Sequence, residues 1–235
     1  MKFGLIFDSR AIDKNFSTGW GISFLIDENF LFDTGEKGSF LLNNLKNLNF
    51  DLKKIKKIFI SHQHWDHTGG LWEILKETKA EVFICKSFSK EFKEKIISYG
   101  SNYIEIEKFK EIEEGFYTTG EMEGLFGGNP VFEHSLILKK QKGLVLVTGC
   151  AHPGILEIAE RVKGKFKEEI DLLIGGFHLM EFEEEKIKNI LSNLKNLNIK
   201  RVCPIHCSGE ISRKFFEEEF GSAFVDLKVG QFLEI

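Results

Sequence analysis

The sequence is poor in glutamine and contains no long apolar segment. Glutamine occurs only at positions 63, 141 and 231, whereas lysine and glutamate are abundant. This bias is typical of thermophilic proteins, and an AT-rich genome produces a similar one. No run approaches the roughly 18 apolar residues needed to cross a bilayer, and the apolar run at residues 1–8 is too short for a signal peptide. We therefore expect a cytoplasmic protein.

Cysteine and excess positive charge are also limited. The cysteines at positions 85, 150, 203 and 207 lack the paired spacing of a zinc ribbon, and in a reducing compartment we expect them to be thiols. The formal net charge is −4 and no long basic stripe occurs, so the polycationic signature of nucleic-acid binding is absent. These features favour a small-molecule substrate and indicate neither a nucleic-acid partner nor a membrane partner.

The composition is that of a globular chain able to bury a core. Apolar residues make up 42% and charged residues 29% of the 235 positions. The length exceeds the usual size of one domain, but layered β and α/β folds reach it as a single domain. We therefore predict one domain over residues 1–235.

Potential metal ligands are concentrated at residues 61–70, which read SHQHWDHTGG. The β-branched and aromatic run at 56–60 predicts a buried strand that leads into this motif. Gly69 and Gly70 permit a tight turn into a helix that carries several apolar side chains. A strand before and a helix after the motif are the context in which such a motif match becomes informative.

The four ligand-type side chains of the motif are predicted to converge. On an extended chain His62, His64 and Asp66 point the same way, and His67 joins them as the chain turns. Imidazole and carboxylate ligands suit zinc, iron or manganese, and two subsets of these residues can serve two ions.

Three apolar strands predicted in the second half of the chain each lead to a histidine. The strands, with the histidine that follows each, are 144–147 with His152, 171–174 with His178, and 201–205 with His206. Open α/β sheets place their sites at the carboxyl ends of strands, so this repetition indicates a site.

The segment from residue 108 to residue 130 is rich in glycine and shows little periodicity. We interpret it as a lid or an inserted binding loop, with a disordered connector as the alternative. On loop composition alone, Phe126 and Gly120 are predicted to border the substrate pocket. The other predicted elements are a hairpin of 20–26 and 30–32, a helix with Leu41 and Leu45, a strand at 81–85, a helix from about residue 87 to Gly100, a strand at 102–107, a hairpin of 131–138 and 144–147, and helices from Ile155 and around Ile187.

The order His-x-His-x-Asp-His after a strand resembles the signature of the metallo-β-lactamase superfamily. Similar segments are TGCAHPGI from Thr148, GGFHL from Gly175, PIHCSG from Pro204 and VGQFLEI from Val229. They resemble the branch that includes the archaeal 7,8-dihydropterin-6-methyl-4-(β-D-ribofuranosyl)aminobenzene 5′-phosphate synthase. The resemblance implies an α/β (α+β) fold, the four-layer αβ/βα sandwich, with metals at one edge between two sheets.

The resemblance also implies a dinuclear centre of two divalent ions, with zinc as the first choice and iron, manganese or magnesium as alternatives. The implied ligands are His62, His64 and His152 for one ion, and Asp66, His67 and His206 for the other. Asp33, at the end of a predicted strand, would orient ligands from beneath the site, unless it is a helix cap or turn residue.

The sequence departs from the family pattern at Cys150, where the strand usually ends in Thr-Gly-Asp and supplies a bridging carboxylate. Cys150 either bridges the metals or binds one of them as a thiolate, or it is a buried thiol while water alone bridges the metals, and we favour the buried thiol. His178 occupies a strand end where some members carry a proton-transfer residue, so we predict that it is catalytic and either protonates a leaving group or binds an oxyanion. His134 is an alternative to His152 as the ligand of the first ion, and we favour His152.

Three functions follow from this resemblance. The first is a metal-dependent hydrolase that uses a metal-bound hydroxide on a phosphoester or other ester-type small molecule, with Asp66 accepting a hydrogen bond from the nucleophile. The second is a transferase like the pterin synthase, which would condense a dihydropterin diphosphate with an aminobenzene ribofuranosyl phosphate. The third is a non-catalytic metal-binding sensor. A phosphorylated substrate suits the positive charge of the ions.

Overall fold

Strands outnumber helices in this structure, a computed structural model that describes residues 1–235. The strands are β1 (Lys2–Phe7), β2 (Ser23–Ile26), β3 (Phe30–Phe32), β4 (Lys57–Phe59), β5 (Glu81–Cys85), β6 (Tyr103–Ile106), β7 (Lys108–Glu113), β8 (Phe116–Gly120), β9 (Met122–Phe126), β10 (Asn129–Glu133), β11 (Leu136–Lys140), β12 (Gly143–Thr148), β13 (Ile170–Gly176), β14 (Arg201–Ile205) and β15 (Phe232–Glu234). The α-helices are α1 (Gly38–Asn47), α2 (Trp65–Thr68), α3 (Leu71–Thr78), α4 (Lys90–Ser98), α5 (Ile155–Phe166), α6 (Glu184–Asn196) and α7 (Glu210–Phe220).

The chain forms two compact units. Unit 1 contains Met1–Glu107 and Leu227–Ile235, and unit 2 contains Lys108–Asp226. The mixture of sheets and helices confirms the predicted α/β class, whereas the single domain stays a prediction. No helix in the structure is both long enough and apolar enough to span a membrane.

Unit 1 is built on a seven-stranded sheet in the order β15-β1-β2-β3-β4-β5-β6. The predicted hairpin is confirmed as the antiparallel pair β2 and β3. Strands β3 to β6 run parallel, and Phe32 of β3 lies opposite Phe59 of β4. The backbone N–H of Asp33 donates to the carbonyl of Phe59 at 2.8 Å. The carboxyl ends of β3 and β4 therefore bring Asp33 to the start of the histidine motif.

The helices of unit 1 follow the predicted apolar spacing. Leu41 and Leu45 of α1 are fully buried. Helix α4 begins after Ser89, whose Oγ accepts from the N–H of Phe92 at 3.2 Å, and it ends before Gly100, which has a φ of 75°. The cap at Ser89 explains why α4 starts slightly later than predicted.

The predicted extended course of the histidine motif is wrong beyond His64. His64 is extended, with φ −98° and ψ 151°, but α2 begins at Trp65, so Asp66 lies on a helical turn. The hydroxyl of Thr68 donates to the carbonyl of His64 at 2.9 Å, and the N–H groups of His67 and Thr68 donate to the same carbonyl. These bonds stabilise a turn that places Asp66 and His67 next to each other instead of on alternate faces.

The two glycines after α2 serve close packing. Gly69 has right-handed helical angles, and so does Gly70, and the chain passes from α2 into α3. A Cβ on Gly69 would lie 2.0 Å from the carbonyl oxygen of Glu36, and one on Gly70 would lie 2.3 Å from that of Thr34. The glycines let the motif lie directly against the loop that follows β3.

Unit 2 contains a six-stranded sheet in the order β14-β13-β12-β11-β8-β7 and a separate two-stranded sheet of β9 and β10. The three predicted apolar strands are present as β12, β13 and β14, which are parallel neighbours with Thr148 opposite Gly175 and Gly176 opposite Ile205. Their carboxyl ends therefore lie at one edge, and each leads to a histidine. The apolar faces of α5 and α6 pack on this sheet through residues such as Ile158, Val162, Ile187 and Leu191.

The prediction of an irregular segment at 108–130 is wrong, because β7, β8 and β9 and the start of β10 occupy it. Only some of these side chains are buried, so apolar residues do not alternate cleanly along them. The glycines that suggested a loop lie at the hairpin turns, where Gly115, Gly127 and Gly128 have positive φ. The predicted strand at 131–138 is divided, since β10 ends at Glu133 and β11 begins at Leu136.

Candidate metal centre

Unit 1 brings the ligand-type residues of the histidine motif together. His62 and His67 are fully buried, and their ring centroids are 4.1 Å apart. The Nε2 atom of His62 lies 3.1 Å from Nδ1 of His64, and Nε2 of His67 lies 3.6 Å from the Asp66 carboxylate. Such crowding of imidazole nitrogens beside a buried carboxylate suits ligation of a divalent cation.

Asp33 is a buried carboxylate that fixes this cluster. Its Oδ2 accepts from Nδ1 of His67 at 2.6 Å and from the Ser61 hydroxyl at 2.7 Å, and its Oδ1 accepts from the Ser61 N–H at 2.7 Å. Burial raises the pKa of Asp33, although His67 and Ser61 act in the opposite direction by favouring the carboxylate. The contact holds the His67 ring with its Nε2 3.6 Å from the Asp66 carboxylate. That Asp33 orients a metal ligand stays a prediction.

In unit 2 the three predicted histidines occupy the turns that follow β12, β13 and β14. Ala151, His178 and His206 have positive φ values of 62°, 51° and 51°, and in unit 1 Asp33 has 51°. This left-handed conformation costs non-glycine residues about 1–2 kcal/mol each. Strain of this kind therefore occurs at several strand ends that carry candidate residues, as well as at turns and helix ends elsewhere in the chain.

Glu133 is a site residue that the sequence analysis missed. It is 1% exposed, and its carboxylate accepts from the N–H groups of Cys150, Ala151 and His152 at 2.8 to 2.9 Å. Its Oε2 also accepts from Nδ1 of His152 at 2.8 Å. Burial raises the pKa of Glu133, but His152 and the N–H of Ala151 outweigh it and hold the pKa at about 2. No local signal marked Glu133, because it is followed by the polar residues His134 and Ser135 and its partners lie at residues 150–152.

His178 lies beside His152, with ring centroids 4.8 Å apart. Its Nδ1 is buried and has no hydrogen-bond partner. A hydrogen bond to the Cys207 thiol raises the pKa of His178, although burial acts in the opposite direction. Burial opposes ionisation of Cys207, but the Cys150 thiol and the histidines at 206 and 178 hold the Cys207 pKa well below its usual value. Cys207 was not predicted as a site residue.

The other three candidate residues, Cys150, His206 and His134, are all buried. Cys150 is 4% exposed, and its Sγ lies with the ring nitrogens of His152 and His178 in a group whose ligand atoms are within 4.8 Å of one another. His206 is 7% exposed at the start of a short 3-10 helix, His206–Ser208. His134 is fully buried with Nδ1 3.1 Å from the Thr118 hydroxyl, and it belongs to none of the ligand-type groups.

A pocket of about 630 Å³ opens beside the unit 2 histidines. Phe126, at the tip of the β9 and β10 hairpin, contacts the rings of His152 and His178 at centroid distances of 5.7 and 5.8 Å. Further lining residues include Leu179, Phe182, Lys186 and Ile190. Gly120 does not line this pocket: its φ is 73°, and a Cβ there would meet the backbone of Lys108 and Phe109 at 2.5 Å. The close approach of the β7 backbone explains why residue 120 is a glycine.

The sequence matches the family model of the metallo-beta-lactamase superfamily over residues 23–206, so the chain belongs to this superfamily. This confirms the resemblance and the fold. The superfamily is one of enzymes, and its fold implies divalent metal binding, for which the nitrogen, oxygen and sulfur donors described above are suitable.

Individual relatives support the same branch. The 7,8-dihydropterin-6-methyl-4-(beta-D-ribofuranosyl)-aminobenzene-5'-phosphate synthase of Methanocaldococcus jannaschii is 30% identical over 275 aligned positions, which cover 97% of this chain and 94% of that protein. The crystal structure of Tm1679, a metal-dependent hydrolase of the beta-lactamase superfamily, has a TM-score of 0.85 and 28% identity, covering 100% of this chain and 99% of that one. The Zn(2+)-bound PqqB of Methylobacterium extorquens has a TM-score of 0.67 and 11% identity, covers 100% of both chains, and shares the fold alone.

Proposed function

We propose that this protein is a metal-dependent hydrolase that acts on a phosphoester or another ester-type small molecule. The observation that carries the proposal is a pair of buried carboxylate–histidine contacts, Asp33 with His67 and Glu133 with His152. Each contact occupies Nδ1 and leaves Nε2 as the ligating atom, an arrangement that recurs around metal-binding histidines. The likeness to Tm1679, described as a metal-dependent hydrolase, adds support.

We assign the ligands as the family motif suggests. His62, His64 and His152 would hold one divalent ion, zinc being the first choice, and Asp66, His67 and His206 would hold a second. Such ions lower the pKa of a bound water and stabilise negative charge that develops on the substrate. Within this scheme Asp66 is also placed to accept a hydrogen bond from the attacking nucleophile.

His178 is our candidate proton donor to the leaving group. It lines the pocket, and the raised pKa of its ring favours the protonated form. Phe126 forms the adjoining wall, and the apolar lining continues to Phe182 and Ile190. A substrate with an apolar group attached to the reacting ester therefore suits this pocket.

The decisive experiment combines metal content with turnover. Protein purified without chelators should contain about two divalent ions per chain and hydrolyse phosphoesters, and metal-depleted protein should be inactive. The His64→Ala variant should lose roughly a thousandfold in rate, as expected when metal catalysis is removed. Gln63→Ala is the matched control, because the Gln63 side chain bonds to Ser89. Near-native turnover after metal depletion contradicts the proposal.

A transferase reaction is the second candidate, and the likeness to the M. jannaschii synthase favours it. In that case the protein would join a dihydropterin diphosphate to an aminobenzene ribofuranosyl phosphate, and the metal centre would stabilise the diphosphate leaving group. Pyrophosphate release that requires both substrates identifies this reaction. Release of phosphate or alcohol from a single ester identifies the hydrolase.

A further inference from the structure

Cys150 stands where the family commonly has a bridging aspartate, and its surroundings differ from those of a cysteine in a hydrocarbon core. Cys150 is 4% exposed, so its thiol is almost completely removed from solvent. The thiol lies beside ring nitrogens of His152 and His178, and the Cys207 thiol donates to the backbone carbonyl of Cys150 at 3.8 Å. A buried thiol that only fills space is usually packed among apolar side chains.

The backbone holds Cys150 and His152 in fixed relation. The N–H groups of Cys150, Ala151 and His152 all donate to Glu133, and Ala151 takes the left-handed conformation that such a tight turn requires. Glu133 also accepts a hydrogen bond from Nδ1 of His152, and this contact restricts rotation of the imidazole ring. The turn therefore keeps the Cys150 sulfur and the ligating nitrogen of His152 in the same small group of donors.

The separations within this group are compatible with a shared ion. The Sγ atom of Cys150 and the ring nitrogens lie within 4.8 Å of one another. A tetrahedral zinc ion binds sulfur at about 2.3 Å and imidazole nitrogen at about 2.0 Å, which places the two donors roughly 3.5 Å apart. The upper limit of 4.8 Å therefore includes the separation that a shared ion requires.

We propose that Cys150 is a thiolate ligand of the ion that His152 binds, so that this centre has a sulfur donor in place of the family's bridging carboxylate. This inference shares one assumption with the proposed function, namely that His152 is a metal ligand. A thiolate ligand favours a thiophilic divalent ion such as zinc or cobalt over magnesium at this centre. Binding releases the thiol proton to solvent as the sulfur–metal bond forms.

The test is spectroscopic and needs no substrate. Metal-depleted full-length protein is reconstituted with Co²⁺, and a sulfur-to-cobalt charge-transfer band in the near ultraviolet is expected. Cys150→Ser should abolish the band, whereas Cys203→Ala, which removes a buried thiol within β14, should retain it. X-ray absorption of the zinc-loaded wild-type protein should show a sulfur neighbour at about 2.3 Å. If Cys150→Ser fails to fold, the same measurement on zinc-loaded Cys207→Ser decides the question, because the sulfur neighbour should remain there if Cys150 is the ligand.

Two outcomes overturn the inference. One is cobalt or zinc binding by the wild-type protein without any sulfur signal. The other is a signal that survives in Cys150→Ser and disappears in Cys207→Ser, which assigns the thiolate to Cys207. Phosphoester turnover without a sulfur signal would leave the hydrolase proposal standing and remove this one. A sulfur signal without turnover of any ester would support Cys150 as a ligand and remove the hydrolase proposal.

Discussion

At the scale of single residues, each unit buries one carboxylate against the Nδ1 atom of a histidine. The two carboxylates differ in how they are stabilised. Glu133 accepts three backbone N–H groups in addition to His152, whereas Asp33 accepts one backbone N–H, the Ser61 hydroxyl and His67. The pKa of Glu133 is accordingly lowered, and burial dominates at Asp33, where the pKa is raised.

Replacing Glu133 by glutamine should weaken both folding and metal binding. The amide group of the new side chain cannot accept all four donated hydrogen bonds, so we expect the free energy of unfolding at neutral pH to fall by about 1–3 kcal/mol. Loss of the contact that orients His152 should weaken metal binding by roughly 10–100-fold. Urea denaturation and metal titration measure the two effects. Glu123→Gln, at an exposed position of β9, is the control and should change neither.

The same residue predicts an acid dependence of stability. The folded-state pKa of Glu133, about 2, lies below its ordinary value of 4.5. Its ionised form therefore stabilises the fold above about pH 4.5, and that contribution is lost as the pH falls toward 2. The difference in stability between wild type and Glu133→Gln should shrink over this range. A difference that stays constant from neutral pH to about pH 2 contradicts the assignment.

His178→Asn should affect substrates according to their leaving groups. If His178 donates a proton, hydrolysis of alkyl phosphoesters should slow by roughly 10²–10⁴-fold. Hydrolysis of p-nitrophenyl esters should slow far less, because p-nitrophenolate leaves without being protonated. Turnover of both substrates, with metal content measured in parallel, tests this. An equal loss for both leaving groups indicates that the residue only maintains the site.

At the scale of secondary structure elements, the glycines after α2 control how closely the histidine motif approaches the loop after β3. Gly69→Ala places a methyl group 2.0 Å from the carbonyl oxygen of Glu36, so we expect a loss of about 1–3 kcal/mol in unfolding free energy. Gly164→Ala is the matched control. Gly164 is exposed within α5 with nothing near its added methyl group, and alanine there should stabilise by about 0.5–1 kcal/mol. Thermal denaturation of both variants measures these changes, and we expect a lower melting temperature for Gly69→Ala and a slightly higher one for Gly164→Ala.

The elements that were predictable from sequence are those with one strong signal. The buried strands β5, β12, β13 and β14 are short apolar runs, and α5 has apolar residues at helical spacing, so local pattern and fold agree. Strands β7 to β9 were missed because they are partly exposed, and their charged residues and turn glycines gave the composition of a loop.

The site was predictable where ligand-type residues follow such strands. His62 and His64 come directly after β4, and His206 comes directly after β14, so topology brings each to a sheet edge. The helical turn at Asp66 was not predictable from alternation, because it depends on Thr68 bonding back to His64. Glu133 was not predictable because its partners, residues 150–152, are distant in sequence.

At the scale of the whole molecule, bound metal should raise the melting temperature. A divalent ion present at a hundred times its dissociation constant stabilises the folded state by about 2.7 kcal/mol. For a chain of this size that corresponds to a rise of roughly 5–10 °C. Scanning calorimetry of metal-depleted protein, with and without added zinc, measures the shift. A variant that carries both His64→Ala and His206→Ala should show little of it, and an unchanged shift in that variant places the ion elsewhere.

The position of β15 has a consequence for the order in which the chain is assembled on the ribosome. Strand β15 pairs with β1 in the unit 1 sheet, but it is translated only after the whole of unit 2. If unit 1 folds while unit 2 is being synthesised, its sheet has six strands, with β1 as one edge strand and β6 as the other. Until residues 232–234 emerge, the β1 edge is open to pairing with a chaperone or another nascent chain.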